Sequence, residues 1–258
     1  MHTEQGTPLG DRLKNLAPPA VRRLSRRIKA VLGNWQNRRL SARDVFTKVY
    51  LEKMWGEGPE AFYSGPGSNE EASAPYADFV IRFIADHHIR SVVDLGCGDF
   101  RVGRMIAASG INFTGVDVVQ PLIDENNRRF ANETTRFQCL DIATDNLPDG
   151  DLCLIREVFQ HISNAQIAAV LAKLTKYKYV VFTDVQPEDT SGYAINGDKV
   201  HGASSRILHK SCLQLEKPPF NVTAVRLVFE TTTPHASYNP FGSSFKLRTY
   251  LVEPGITG

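Results

Sequence analysis

From Ser91 onward, short apolar runs alternate with longer amphipathic stretches. The runs at 91–95, 113–118, 136–140, 151–155 and 178–184 are brief and mostly apolar, which is how a parallel sheet covered on both faces reads. Between most of them apolar positions recur every three or four residues, which predicts helices at 102–109, 121–131 and 164–174. Ser163 and Gln166 open the last as a capping box. Such alternation builds a parallel sheet covered by helices. The β-rich runs at 223–230 and 245–252 have no helix between them and predict an antiparallel hairpin.

Upstream the period is helical. Leu24, Ile28, Val31, Leu32 and Trp35 share one face of a helix starting after Pro18 and Pro19. Ser41 and Asp44 resemble a capping box before Val45, Phe46, Val49, Tyr50 and Met54, and this helix should end near Trp55. Residues 56–68 are rich in Gly and Pro and predict a loop interrupted by Phe62 and Tyr63. A further helix is expected from Pro75 to His88, burying Phe79, Val80, Phe83 and Ile84. Residues 186–221 are too long for a simple connection and predict an insertion that covers a site.

Composition narrows the class without naming a partner. With 258 residues, 42% apolar and 22% charged, the chain can bury a core without disulfides. Cys97, Cys139, Cys153 and Cys212 lie far apart, which suits reduced thiols and gives no zinc spacing. Charge is uneven: residues 1–40 hold nine Lys/Arg against Glu4 and Asp11, and the remainder is net acidic. The expected organisation is a basic amphipathic segment at 1–40 and a domain at 41–258, with 41–90 as N-terminal helices and cap loop. The basic helix packs on the parent domain or a partner subunit, or contacts a membrane surface through residues 10–40. Nucleic acid is not expected, because the acidic remainder would repel phosphates. No apolar run approaches the ~20 residues of a membrane span, so a cytoplasmic protein is expected, with peripheral contact at the inner membrane surface as the alternative.

Candidate chemistry sits at strand ends. Asp94 closes the first strand and Gly96 and Gly98 follow, so the backbone can turn sharply and a ligand can approach it. The second strand ends in Asp117, followed by Val118. A carboxylate there can accept both hydroxyls of a ribose. The third leads into Asp141 and Ile142, an acceptor and an apolar side chain suited to an adenine's edge and face. Three acids at consecutive strand ends outline a nucleoside-shaped cleft. Asp117 also lies about 20 residues after Gly96, as in dinucleotide-binding folds. Arg101, where that fingerprint wants a small residue, and the terminal hairpin oppose that reading.

Asp94-Leu-Gly-Cys-Gly98, Gly115-Val-Asp117 and Asp141-Ile142 closely resemble successive motifs of class I S-adenosylmethionine-dependent methyltransferases. Trp55-Gly56, Tyr63-Ser-Gly-Pro-Gly-Ser68, Cys97-Gly-Asp-Phe100, Gln160-His161 and Lys217-Pro-Pro-Phe220 look like a bacterial subgroup associated with saccharide or other small-molecule methylation. The resemblance implies an α/β, Rossmann-like, mostly parallel sheet with a C-terminal antiparallel hairpin and an N-terminal helical extension, and S-adenosyl-L-methionine as cofactor. It places Asp94, Gly96, Cys97 and Gly98 at the amino-acid end of the cofactor, Asp117 at the ribose, and Asp141 with Ile142 at the adenine. Trp55, Tyr63, Ser64, Gly65 and Val118 join them as expected cofactor contacts. Phe100 replaces a common glycine and is expected to tighten access near the methionine portion.

After the fourth strand come Arg156, Glu157 and His161, where this fold meets its acceptor. His161, with an unperturbed pKa of ~6.5, is the candidate general base, with Glu157 as a second catalytic candidate. Arg156 is assigned to the cofactor carboxylate or a substrate anion. No metal is expected, since Glu157 and Asp184 are the only obvious carboxylate pair. The function expected is methyl transfer to a small-molecule or saccharide hydroxyl. A noncatalytic nucleoside-binding adaptor and an NAD-dependent nucleotide-sugar oxidoreductase are the alternatives.

Overall fold

The computed structural model describes residues 35–232 and 244–252, together with Ser25, Ile28, Leu32 and Gly33 of the preceding segment. Most of the predicted basic helix lies outside the described residues. Helices α1 (Ala42–Leu51) and α2 (Glu70–Asp86) precede strand β1 (Ser91–Leu95). Then come α3 (Arg101–Ala107), β2 (Asn112–Asp117), α4 (Gln120–Phe130), β3 (Thr135–Cys139), β4 (Leu152–Arg156), α5 (Asn164–Leu171) and β5 (Tyr179–Pro187). The two-residue strands β6 (Ala194–Ile195) and β7 (Ser211–Cys212) pair within the insertion, and β8 (Val225–Thr232) and β9 (Phe245–Val252) form the hairpin.

Seven strands make one sheet in the order β3-β2-β1-β4-β5-β9-β8. β1 to β5 are parallel, and β9 runs antiparallel between β5 and β8. The predicted α/β class with its terminal hairpin is therefore the observed fold. Alternate side chains explain the apolar runs. Val93, Leu95, Cys153, Ile155, Val180 and Phe182 pack toward α1 and α5, while Val92, Leu152, Leu154 and Val181 pack toward α2 and α3.

Ser163 and Gln166 form the predicted reciprocal cap of α5, and the Ser41 hydroxyl accepts from the Asp44 N–H at α1. α2 departs from expectation by starting at Glu70, so Pro75 lies inside it. That position costs one intrahelical donor, which the burial of Ala72, Tyr76, Ala77, Val80, Phe83 and Ile84 offsets. Phe100 also departs. Its backbone is left-handed (φ 62°), and its ring packs with centroids 4.7 Å from Phe137 and 5.4 Å from both Phe113 and Phe130. It fills a core and does not narrow the cleft, because aromatic neighbours on three elements draw it inward.

Candidate active site

Strand order reverses between β1 and β4, each of which is followed by a connection on the opposite side. Loops leaving the carboxyl ends of such strands diverge and open a crevice. Here it is a cleft of about 430 Å³, lined by Asp94, Gly96, Cys97 and Gly98 after β1, Asp117 and Val118 after β2, and Asp141 and Ile142 after β3. Arg156, Glu157 and His161 line it from β4, and Trp55, Ser64 and Gly65 from the N-terminal region. The structure thus gathers fourteen of the fifteen sequence-predicted site residues around one hollow.

The exception is Tyr63. Its hydroxyl donates to Asn69 Oδ1 at 3.1 Å, and the Arg101 guanidinium lies 5.0 Å from its ring centroid. This cation–π contact and hydrogen bond hold Tyr63 outside the cleft lining, so its expected cofactor contact is withdrawn.

Gly96 and Gly98 have φ of +82° and +54°. A Cβ at Gly96 would collide with Val158, and one at Gly98 with the Ser64 hydroxyl. Gly96 N–H and Cys97 N–H both donate to Val116 O, at 2.7 and 2.9 Å, which fixes the turn against β2. The Asp117 carboxylate accepts from Gly98 N–H at 3.2 Å and Val119 N–H at 3.1 Å. Burial raises its pKa to about 6 despite these bonds. Burial also raises Asp94 to about 7, opposed by Arg156 and assisted by Asp117.

The loop at 63–68 is tied to this turn. Ser64 N–H donates to Asp99 Oδ2 at 2.9 Å, Asp99 N–H donates to Ser64 Oγ at 2.8 Å, and Tyr50 Oη lies 2.9 Å from the same Oγ. Asp99 and Tyr50, which line the cleft, were not expected as site residues. Their sequence signal is slight: a short acid just before a helix, and one aromatic on an amphipathic face.

At the other end Glu157 takes a left-handed backbone (φ 57°) and pairs with Arg156 at 3.0 Å. Arg156 Nη2 donates to Gly67 O at 2.9 Å, while its buried Nε has no hydrogen-bond partner among the described residues. His161 does not meet the premise that made it a base. Burial, then the Lys199 ammonium, pushes its pKa to about 3, so the imidazole is neutral. Nδ1 lies 3.2 Å from Gly202 O and the ring packs 5.2 Å from Trp55. Such a weak base accepts protons poorly near neutral pH, and we assign His161 to the wall of the cleft.

The insertion covers this end with Ala203, Ser205, Ile207 and Leu208. Its grip was not foreseen. Arg206, 1% exposed, donates to the carbonyls of Phe159 (3.3 Å), Ile162 (2.7 Å) and Gly197 (2.6 Å). Lys199 Nζ donates to His161 O at 3.1 Å, and burial followed by Arg206 lowers its pKa to about 7. Their only sequence signal is the apolar company of Ile207 and Leu208 beside Arg206.

Behind the loop, Asp184 is buried with Oδ1 accepting from Val185 N–H and Oδ2 without a hydrogen bond. Burial, with Glu157 nearby, raises its pKa to about 8. A raised carboxyl pKa means the folded state holds a proton that the unfolded state has lost. Stability contributed below the unfolded value near 4 is therefore lost as pH rises to about 8. Asp184→Asn is expected to remove that loss, gaining about 2 kcal/mol or more at pH 9 relative to pH 5, at ~1.4 kcal/mol for each pH unit of the window. Urea unfolding at the two pH values checks this; equal differences at both would contradict it.

Comparison with known proteins bears on the same region. Residues 92–178 match the family model described as a methyltransferase domain. A 99-residue stretch is 26% identical to the ubiquinone biosynthesis O-methyltransferase of Rickettsia akari, covering 34% of this chain. The match spans 39% of that relative, well under half its length. Among solved structures, the 1,6-didemethyltoxoflavin-N1-methyltransferase of Burkholderia thailandensis, with bound 1,6-didemethyltoxoflavin and S-adenosylhomocysteine, is 17% identical. It superposes with a TM-score of 0.52 over 82% of this chain and 87% of that one. The likeness shows the Rossmann-like α/β fold, whose strands β1 to β4 carry the cleft. Among the described residues no helix is long and apolar enough to cross a membrane.

Proposed function

We propose that the protein is an S-adenosylmethionine-dependent methyltransferase acting at a hydroxyl of a small-molecule acceptor. The observation that carries this reading is the convergence of Asp94, Asp117 and Asp141 with the Gly96–Gly98 turn on one cleft. The cleft suits the cofactor on the protein's own terms. Side chains at Gly96 and Gly98 would collide with Val158 and Ser64, so the tight turn is kept bare where a ligand's backbone contact is needed. The unpartnered Nε of Arg156 is a buried donor in a residue that lines the hollow. Asp117 would hold the ribose, Asp141 and Ile142 the adenine, and Asp94 with Arg156 the charged amino-acid end. When bound, S-adenosylmethionine supplies an electrophilic methyl group on a sulfonium.

This chain's residues do the rest by alignment and exclusion of water. Trp55, His161, Ala203, Ile207 and Leu208 wall the acceptor end, and Glu157, paired with Arg156, brings a carboxylate to it. That wall is mainly apolar. It favours a flat or apolar alcohol or phenol over a saccharide, whose hydroxyls need more polar partners.

Titration with S-adenosylhomocysteine and, separately, with a nicotinamide dinucleotide tests the reading. Micromolar or tighter binding of the first alone is expected. Preference for the dinucleotide supports the oxidoreductase alternative, and binding without methylation across a wide acceptor panel supports the adaptor. Asp117→Ala is expected to weaken S-adenosylhomocysteine binding by about 1.5–3 kcal/mol, the scale of hydrogen bonds to a charged group. Unchanged affinity would reject the ribose assignment.

A further inference from the structure

Large apolar side chains are unevenly spread over the surface. Among the described residues, Ile28, Leu32, Trp35, Leu40, Leu51 and Met54 are exposed, and only Ile195 and Leu227 join them from the rest. Ile28, Leu32 and Trp35 have helical backbone and are spaced four and three residues apart, so they share one face. They are 50%, 54% and 73% exposed. Three residues of the expected apolar stripe thus face solvent, and Leu24 and Val31 lie outside the described residues.

The same stretch carries the basic excess. Residues 21–54 hold ten Lys/Arg against Asp44 and Glu52, and the rest of the chain is net acidic. Arg38, Arg39, Arg43, Lys48 and Lys53 are exposed. From Asn37 onward the chain also meets the cleft's surroundings. Asn37 Nδ2 donates to His201 O at 3.0 Å, His201 Nε2 lies 3.0 Å from Leu40 O, and Met54 lines the cleft.

We propose that Ile28, Leu32 and Trp35, with the exposed cations Arg38, Arg39, Arg43, Lys48 and Lys53, form a docking surface for an anionic lipid bilayer, the apolar side chains entering the headgroup boundary and the cations facing lipid phosphates. Charge selects this occupant. A second copy would set two basic surfaces against each other, whereas an anionic leaflet complements them. A nucleic-acid backbone would answer the cations but leave the apolar stripe in water. Tryptophan suits the boundary, with an apolar body and one polar N–H. The inference stands independently of the methyl-transfer reading.

Sedimentation of the full chain with vesicles tests it, comparing phosphatidylcholine alone with phosphatidylcholine containing about a third phosphatidylglycerol. Pelleting is expected at least about tenfold more strongly with the anionic vesicles and should decline as salt rises. The double variant Leu32→Ser/Trp35→Ser, shown to be folded by circular dichroism, should lose about tenfold of that partitioning. In a Trp55→Phe background Trp35 is the sole tryptophan, and its emission should shift to the blue on anionic vesicles. Equal binding to both vesicle types, full partitioning of the double variant, or an unshifted Trp35 spectrum overturns the proposal. So does concentration-dependent self-association, abolished by the double variant, in the absence of lipid.

Discussion

Arg206→Ala is expected to destabilise the protein by about 3–5 kcal/mol, read as a lowered urea midpoint at unchanged slope. One guanidinium supplies donors to three carbonyls, Phe159 and Ile162 beside β4 and Gly197 in the insertion. Removing it leaves these acceptors without that donor and empties the space a fully buried side chain filled. Lysine does not restore the grip, because an ammonium on a flexible stem lacks the planar fork that spans separated acceptors. Arg206→Lys should therefore recover less than half of the loss. Arg206 also draws Asp184 toward its ionised form, so Asp184→Asn is expected to rescue part of the Arg206→Ala defect at pH 8 and above. A midpoint unmoved by Arg206→Ala would mean that the insertion is held elsewhere.

Gly98→Ala is expected to weaken S-adenosylhomocysteine binding about 100-fold, or ~2.7 kcal/mol. The backbone there is left-handed, which costs an L-residue roughly 1–2 kcal/mol. The added Cβ also collides with the Ser64 hydroxyl and comes within 3.2 Å of Tyr50 Oη. Ser64 must retreat, breaking its exchange of hydrogen bonds with Asp99, and the loop that lines the cleft through Ser64, Gly65 and Pro66 moves with it. Calorimetric titration of a variant with wild-type circular dichroism checks this. Ser64→Ala, which clears the collision but keeps the glycine, should lose less. If both bind as tightly as wild type, the loop does not shape the cofactor site.

The parallel sheet was legible because its strands other than the edge strand β3, where Arg136 is exposed, are mostly apolar on both faces, and the predicted boundaries came within about three residues of those observed. The acids were legible for a related reason. In a buried strand the first charged residue marks where the chain leaves the core, and at β1 and β2 that residue reaches the cleft. What sequence could not supply was the company a side chain keeps across distant elements. Nothing local to Tyr63 shows that Arg101 will draw it away. Nothing local to His161 shows that Lys199, 38 residues on, will crowd it with positive charge. Arg206 sits in a stretch without period, so its burial depends on where a loop of irregular backbone comes to rest. The start of α2 was missed because Pro75 looks like a boundary, and only packing shows that the turn before it is also helical.

The placement of β9 between β5 and β8 has a consequence for synthesis on the ribosome. β8 leaves the exit tunnel first, yet its neighbour in the sheet is β9, so it must wait unpaired until about twenty further residues have emerged. Until then the flank of β5 is a bare hydrogen-bonding edge open to other nascent chains. The vulnerable interval in this protein's production therefore lies between the emergence of β8 and that of β9, when the parallel half of the sheet can already have assembled.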